Sequence, residues 1–216
     1  MKRLLIWGAG DQGTVTLDCA EAMDRYGRID FLDIKEKGHR QIPGRTIYEE
    51  SHVILEEFLR TYDEVIVATG SNDLREAKIL QLKTMGIPLA TVVHPTAVIS
   101  PSAGISPGCT VLATAVINPN ARVGTGCIVN TGAVIEHDCV VEDYVNICPK
   151  AVMAGHTVVG YKSFLGTGCA VIDDIRIGRE TVIGAGAVVI HDVPDSSVVA
   201  GVPAKPISSS RTSSSL

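Results

Sequence analysis

Aromatic residues make up only 4% of this chain, and there is a single tryptophan. A core built on large flat rings is thereby excluded, so aliphatic and small side chains must fill the interior. Lysine and arginine form no run and the formal net charge is −5, which argues against nucleic acid as a partner. No apolar stretch is long enough to cross a bilayer, and residues 1–6 are too short for the apolar part of a signal peptide. The expected location is the cytoplasm, with no membrane partner. Six cysteines are present without a CxxC pair, so a reduced set is expected rather than a disulfide framework or a zinc knuckle.

What the chain does have is a period. From Ile99 to Val189 an aliphatic residue recurs at every sixth position without a break, running Ile99, Ile105, Val111, Ile117 and onward. A second series, mostly of smaller residues, follows four places after each, from Ala103 to Val193. Neither the helical period of about 3.6 nor the strand period of 2 produces this spacing. A period of six gives one short strand and one corner, and three strands close a triangular coil of 18 residues. The pattern predicts a parallel β-helix of hexapeptide repeats. Cys109, Cys127, Cys139 and Cys169 fall in the small inward slot and read as buried small hydrophobes. Cys148 falls at an outward position, and Cys19 lies in a helical stretch.

The first 95 residues follow other rules. An apolar strand, residues 3–7, runs into Gly8-Ala9-Gly10-Asp11-Gln12-Gly13. A helix over about 14–26 follows, then a strand over 29–32 ending in Asp33, which lies 20 residues beyond the last glycine. Strand, GxGxxG, helix, strand and acid in this order suggest a phosphate held at a helix N-terminus. The same glycines would equally serve a tight strand-to-helix turn. A third strand over 64–68 leads into Thr69-Gly70-Ser71, followed by a helix over 73–85 and a strand near 89–93. The segment is half a dinucleotide fold, which favours a nucleotide or nucleotide-sugar pocket over a dehydrogenase. The expected domains are 1–95, Rossmann-like, and 96–207, the β-helix. Residues 208–216 form a serine-rich tail expected to be disordered.

Inward positions of the repeat are committed to packing, so chemistry is confined to outward and corner positions. Glu136-His137-Asp138 places one imidazole between two carboxylates. A carboxylate fixes an imidazole's tautomer and raises its basicity, which suits a general base. The alternative is an ordinary solvated corner. His156 comes 19 residues later, near enough to be a neighbour, whereas His191 falls three coils away. A metal centre of the β-helical carbonic anhydrase kind needs three converging imidazoles, and there is no His-x4-His pair. No metal is expected.

The joint occurrence of the short α/β domain, His94-Pro95-Thr96-Ala97-Val98-Ile99-Ser100, the hexapeptide repeat, Glu136-His137-Asp138 and Gly201-Val202-Pro203-Ala204-Lys205 resembles a known family. It is similar to the bacterial left-handed β-helix sugar acetyltransferases, which include UDP-4-amino-sugar N-acetyltransferases and sialic-acid O-acetyltransferase-like proteins. The resemblance implies a left-handed coil, a homotrimer, and acetyl-CoA as co-substrate. It implies N-acetylation of a UDP-linked amino sugar by direct transfer, with His137 as general base and Asp138 raising its basicity. Acetyl-CoA would meet Asn146, Gly155, Thr167 and Ala185, with the Gly155 N–H on the thioester oxygen. The acceptor nucleotide would meet Gly10, Asp11, Gln12, Asp33, Thr69, Gly70 and Ser71. Relatives often carry histidine at the places of Gln12 and Asn146, and asparagine at the place of His156. O-acetylation of a sugar hydroxyl and a non-catalytic nucleotide-sugar-binding trimer are the alternatives.

Overall fold

The computed structural model describes residues 1–34 and 42–207. The serine-rich tail expected at 208–216 lies outside the described residues. Two compact units divide at Pro95, the first being Met1–Pro95 and the second beginning at Thr96.

The first unit is a parallel sheet carrying helices. Its strands are β1 (Lys2–Trp7), β2 (Tyr26–Asp33), β3 (Ile47–Glu49) and β4 (Glu64–Val67), in the order β3-β2-β1-β4. The helices are α1 (Asp11–Ala22), the short α2 (Leu55–Leu59) and α3 (Asn72–Thr84). β1 is central, and Leu4, Leu5, Ile6 and Trp7 are all fully buried. A continuous apolar run of this kind is what a strand covered on both faces requires. β3 and α2 were not legible, because their segment shows no clear period. The strand expected near 89–93 reduces to a single bridge from Leu89 to Val65 and a two-residue strand at Val92–Val93.

The second unit is the β-helix. Two-residue strands stack in strict steps of 18: Val98 lies over Val116, Val116 over Val134, and Val134 over Val152. One face carries six such strands, from Val98–Ile99 to Val188–Val189, and another carries five, from Gly104–Ile105 to Arg176–Ile177. Every repeat aliphatic from Val111 to Val189 is buried, and so is every small residue from Cys109 to Val193. Ile99, Ile105 and Ala103, in the first coil, are only half-buried. Ladder bonds run from each coil to the next, as from Val134 N–H to Ala151 O at 2.9 Å.

The corners obey the same arithmetic. From Gly108 to Gly186 every sixth residue has a positive φ, between 50° and 82°. Glycine takes this conformation freely, but Thr114, Asn120, Asp138, Tyr144, Lys150, His156, Lys162, Asp174 and Glu180 adopt it as well. Each such residue other than Asn and Asp costs about 1–2 kcal/mol, and the interior must offset it. Truncating one inward residue therefore tells directly on stability. Ile147→Ala is expected to cost about 2–5 kcal/mol, read as a lower urea midpoint.

The solenoid ends by losing register. After Val189 the step falls from 18 to 16, with Val193 bridging Ile177 and Val198 pairing Val182. Val198–Ala200 then pairs antiparallel with Lys205–Pro206, which closes the stack. Cys148, outward in the repeat beside inward Ile147, is nonetheless only 8% exposed. Burial pushes its thiol up to about 11.

Candidate active site

The glycine turn shows which glycines the fold itself demands. Gly8 has φ +122°, and a Cβ there would sit 2.4 Å from Ala68 O. A Cβ on Gly13 would meet Gly8 O at 2.1 Å. Both are fixed by close backbone approach within the first unit. Gly10 is different: its φ is −81° and nothing lies within 4 Å of a Cβ. It caps α1 with no side-chain bond to the helix amides.

Asp33 stands at the end of β2 with its carboxylate engaged. Its Oδ2 accepts the Ala9 N–H at 2.8 Å and its Oδ1 accepts the Ile34 N–H at 2.7 Å. It thus closes the glycine turn, a role that spacing alone did not reveal. The Thr69-Gly70-Ser71 loop is also anchored. Ser71 Oγ caps α3 by accepting the Leu74 N–H at 3.3 Å. Fully buried Arg75 donates to Thr69 O at 2.9 Å and to Asn72 Oδ1 at 2.7 Å. Lys78 was missed by sequence reasoning. Its ammonium lies 3.8 Å from the Trp7 ring centroid and 3.1 Å from Glu50 Oε2, and burial lowers its pKa. Gln12 carries a buried side-chain amide nitrogen that has no hydrogen-bond partner among the described residues.

In the β-helix, His137 and Gly155 occupy the same corner one coil apart. The His137 Nδ1 lies 2.9 Å from Asp138 Oδ2, while Asp138 Oδ1 accepts from Asn120 Nδ2 at 3.0 Å. These two hydrogen bonds hold the Asp138 carboxyl below its ordinary value. Asp138 therefore stays ionised through the neutral range, and the pair is lost only as pH falls through that lowered value. An ionised carboxylate only accepts, so in the neutral imidazole the ring proton sits on Nδ1 and Nε2 keeps its lone pair. The ring lies over Gly155, where a Cβ would stand 2.6 Å from His137 Cε1 and 2.8 Å from Nε2.

His156 completes this corner. It lies directly below Asp138 in the column of positive-φ residues that also holds Asn120 and Asp174. Its N–H donates to His137 O at 3.1 Å, and the two rings meet edge to face at 5.2 Å. The neighbour relation expected from the 19-residue spacing is present. His191 is exposed and far along the stack.

The expected acetyl-CoA residues fall in three kinds of place. Thr167 and Ala185 are exposed and stacked 18 apart on another corner, whereas Gly155 is buried beneath His137. Asn146 lies on a strand, is 7% exposed, and has its Oδ1 3.9 Å from the Cys148 thiol. Backbone amides separate these positions from their equivalents. Thr125 N–H is taken by Asp143 at 2.6 Å, Tyr161 N–H by Glu142 at 2.9 Å, and Arg179 N–H by Asp195 at 2.8 Å. The N–H groups of Gly155, Thr167 and Ala185 have no acceptor among the described residues.

Residues 3–82 match the PglD N-terminal domain family. The acetyltransferase domain of PglB from Neisseria gonorrhoeae superposes with a TM-score of 0.89 at 35% identity, over 96% of this chain and 100% of that one. A variant of the GDP-perosamine N-acetyltransferase of Caulobacter crescentus, solved with CoA and GDP-perosamine, gives 0.88 at 32% identity, over 96% and 97%. Curated relatives match over shorter stretches. The serine acetyltransferase of Mycobacterium tuberculosis is 45% identical over 58 residues, 27% of this chain and 25% of that one. The chain thus spans about a quarter of the length of the curated relatives it matches. It belongs to the left-handed β-helix sugar acetyltransferases.

Proposed function

We propose that this chain transfers the acetyl group of acetyl-CoA to the amine of a nucleotide-linked amino sugar. The observation that carries the reading is the His137 ring, tethered at Nδ1 by Asp138 and seated on Gly155. The sugar amine attacks the thioester carbonyl carbon and a C–N bond forms. His137 Nε2 takes the proton lost from nitrogen. The open Gly155 N–H receives the oxygen as it becomes an oxyanion. The C–S bond then breaks, and the CoA sulfur recovers the proton from the imidazolium.

The nucleotide binds the glycine turn, with Gly10, Asp11, Gln12, Asp33, Thr69, Gly70 and Ser71 around it. Gly10 supports this reading, because nothing in the protein requires a glycine there, whereas a phosphate approaching the start of α1 would. We read the sugar nucleotide as UDP-linked, and the Caulobacter enzyme's GDP-perosamine makes GDP the direct comparison. Asn146, Thr167 and Ala185 line the acetyl-CoA path, and the open Thr167 and Ala185 amides suit its polar atoms. A homotrimer is the working form in this reading. The outward residues Val98, Val116, Val134, Val152 and Val188 stack on one sheet face, with Val98 62% and Val152 39% exposed, which leaves an apolar stripe to cover.

The test is thiol release from acetyl-CoA with UDP- and GDP-linked amino sugars and with free sialic acid. Release with an amino sugar supports the proposal. Release with sialic acid alone would replace it with O-acetylation, and silence with every acceptor would sink it. An acyl-cysteine route is disfavoured by burial. All six thiols are buried, and that of Cys169 is pushed up to about 12. Cys169→Ala is expected to leave turnover per folded molecule within about twofold, and a total loss in kcat assays would overturn direct transfer.

A further inference from the structure

Three ligand-bearing side chains meet at the His137 corner, and acetyl transfer uses only two of them. His137, Asp138 and His156 each present a donor atom, and the three atoms lie within 4.8 Å of one another. Ligands on one tetrahedral zinc ion, at about 2.0–2.2 Å each, stand roughly 3.4 Å apart. Closing the widest gap to that spacing asks for a shift of about 1.4 Å in all, shared between two exposed imidazoles. His137 and His156 are both exposed, so that shift is cheap. Asp138 Oδ2 and His137 Nδ1, hydrogen-bonded at 2.9 Å, would part slightly to admit an ion between them. Three imidazoles are not needed here, because a carboxylate supplies the third donor.

We propose that this corner is a binding site for a divalent transition ion of the zinc class, and that the ion switches the transferase off. Two imidazoles and a carboxylate are a donor set suited to zinc. The backbone prepares it: Asp138 and His156, at φ 59° each, are stacked by the coil step, and His156 N–H is bonded to His137 O. An ion bridging Asp138 Oδ2 and His137 Nδ1 displaces the proton now held between them, and that proton moves through solvent to Nε2. No net charge is lost from the neutral imidazole. The lone pair that would accept the amine proton is gone, and the ion replaces a competent base with a blocked one. The inhibition rests on the acetyl-transfer reading, whereas the binding does not.

The experiment is equilibrium dialysis of zinc chloride against the full chain in metal-free buffer, beside His156→Asn and Asp138→Asn. Asparagine tolerates a positive φ, so the first variant keeps its corner. We expect one tightly held zinc per chain, and at least a tenfold weaker Kd in each variant. Thiol release by the unaltered protein should fall as that site fills, and His156→Asn should need at least tenfold more zinc for the same fractional loss. Zinc binding equal in all three proteins would place the ion elsewhere and overturn the proposal. Release that is indifferent to a filled site would overturn the switch. Binding lost in both variants, in a protein that never releases thiol with any acceptor, would support the metal site and sink the acetyl-transfer reading instead.

Discussion

His137→Ala is expected to lower acetyl transfer by about 10²–10⁴-fold, the usual contribution of a positioned general base. That corresponds to about 3–5 kcal/mol of transition-state stabilisation. The side chain is half exposed and makes one side-chain hydrogen bond, to Asp138, so the melting temperature should barely move. Acetyl-CoA binding should also survive, since the loss is confined to the step in which nitrogen gives up its proton. The measurement is kcat beside a thermal melt. A fall in melting temperature that matches the fall in rate would mean that the ring holds the fold, and a rate within threefold of the unaltered chain would remove it as the base.

Gly155→Ala should have the second largest effect, through geometry rather than chemistry. The added methyl would stand 2.6 Å from His137 Cε1, closer than any tolerated contact. What it meets is the end of a side chain, not backbone, so the ring can swing away and the coil can stay intact. The base would then sit an ångström or more from its place, which costs on the order of 100-fold. The same methyl crowds the Gly155 N–H, which adds to the loss. Rate should therefore collapse while the urea midpoint stays nearly constant. An unchanged kcat would show that Nε2 need not occupy this position, and the proposed mechanism would fail with it. The contrast with Ile147→Ala, where stability falls without touching the base, separates the two kinds of site on one scaffold.

Much of this architecture was legible because hexapeptide periodicity is a packing constraint. A bore that admits only aliphatic and small side chains writes itself into the chain at every sixth position, and sixteen repeats leave no competing reading. The glycine turn was legible for a related reason: Gly8 and Gly13 are fixed by backbone approaches under 3 Å. β3 and α2 carry no comparable constraint. β3 has three half-buried residues, and α2 buries only Leu59. Cys148 keeps its outward place in the repeat and is buried all the same, because inward and outward describe the repeat, not what covers its outer surface. The neighbourhood of His137 was half visible. Spacing brought His156 close, but the column of Asn120, Asp138, His156 and Asp174 needs the coil of 18 and not merely the repeat of 6. The second carboxylate contact, from Asn120, followed from that column and had no local signal.

The two periods have a further consequence for how such a chain can change its length. Removing six residues would leave every aliphatic still pointing inward, and the core would be none the wiser. Every position below the cut would nevertheless rotate to the next face, and a cut between His137 and Gly155 would carry them to different corners. Only a deletion or insertion of eighteen returns each column to itself. Folding reads the sequence modulo six, whereas the site reads it modulo eighteen. Two of every three length changes that the core accepts therefore scramble the site, so this solenoid can grow or shrink with its chemistry intact only by whole turns.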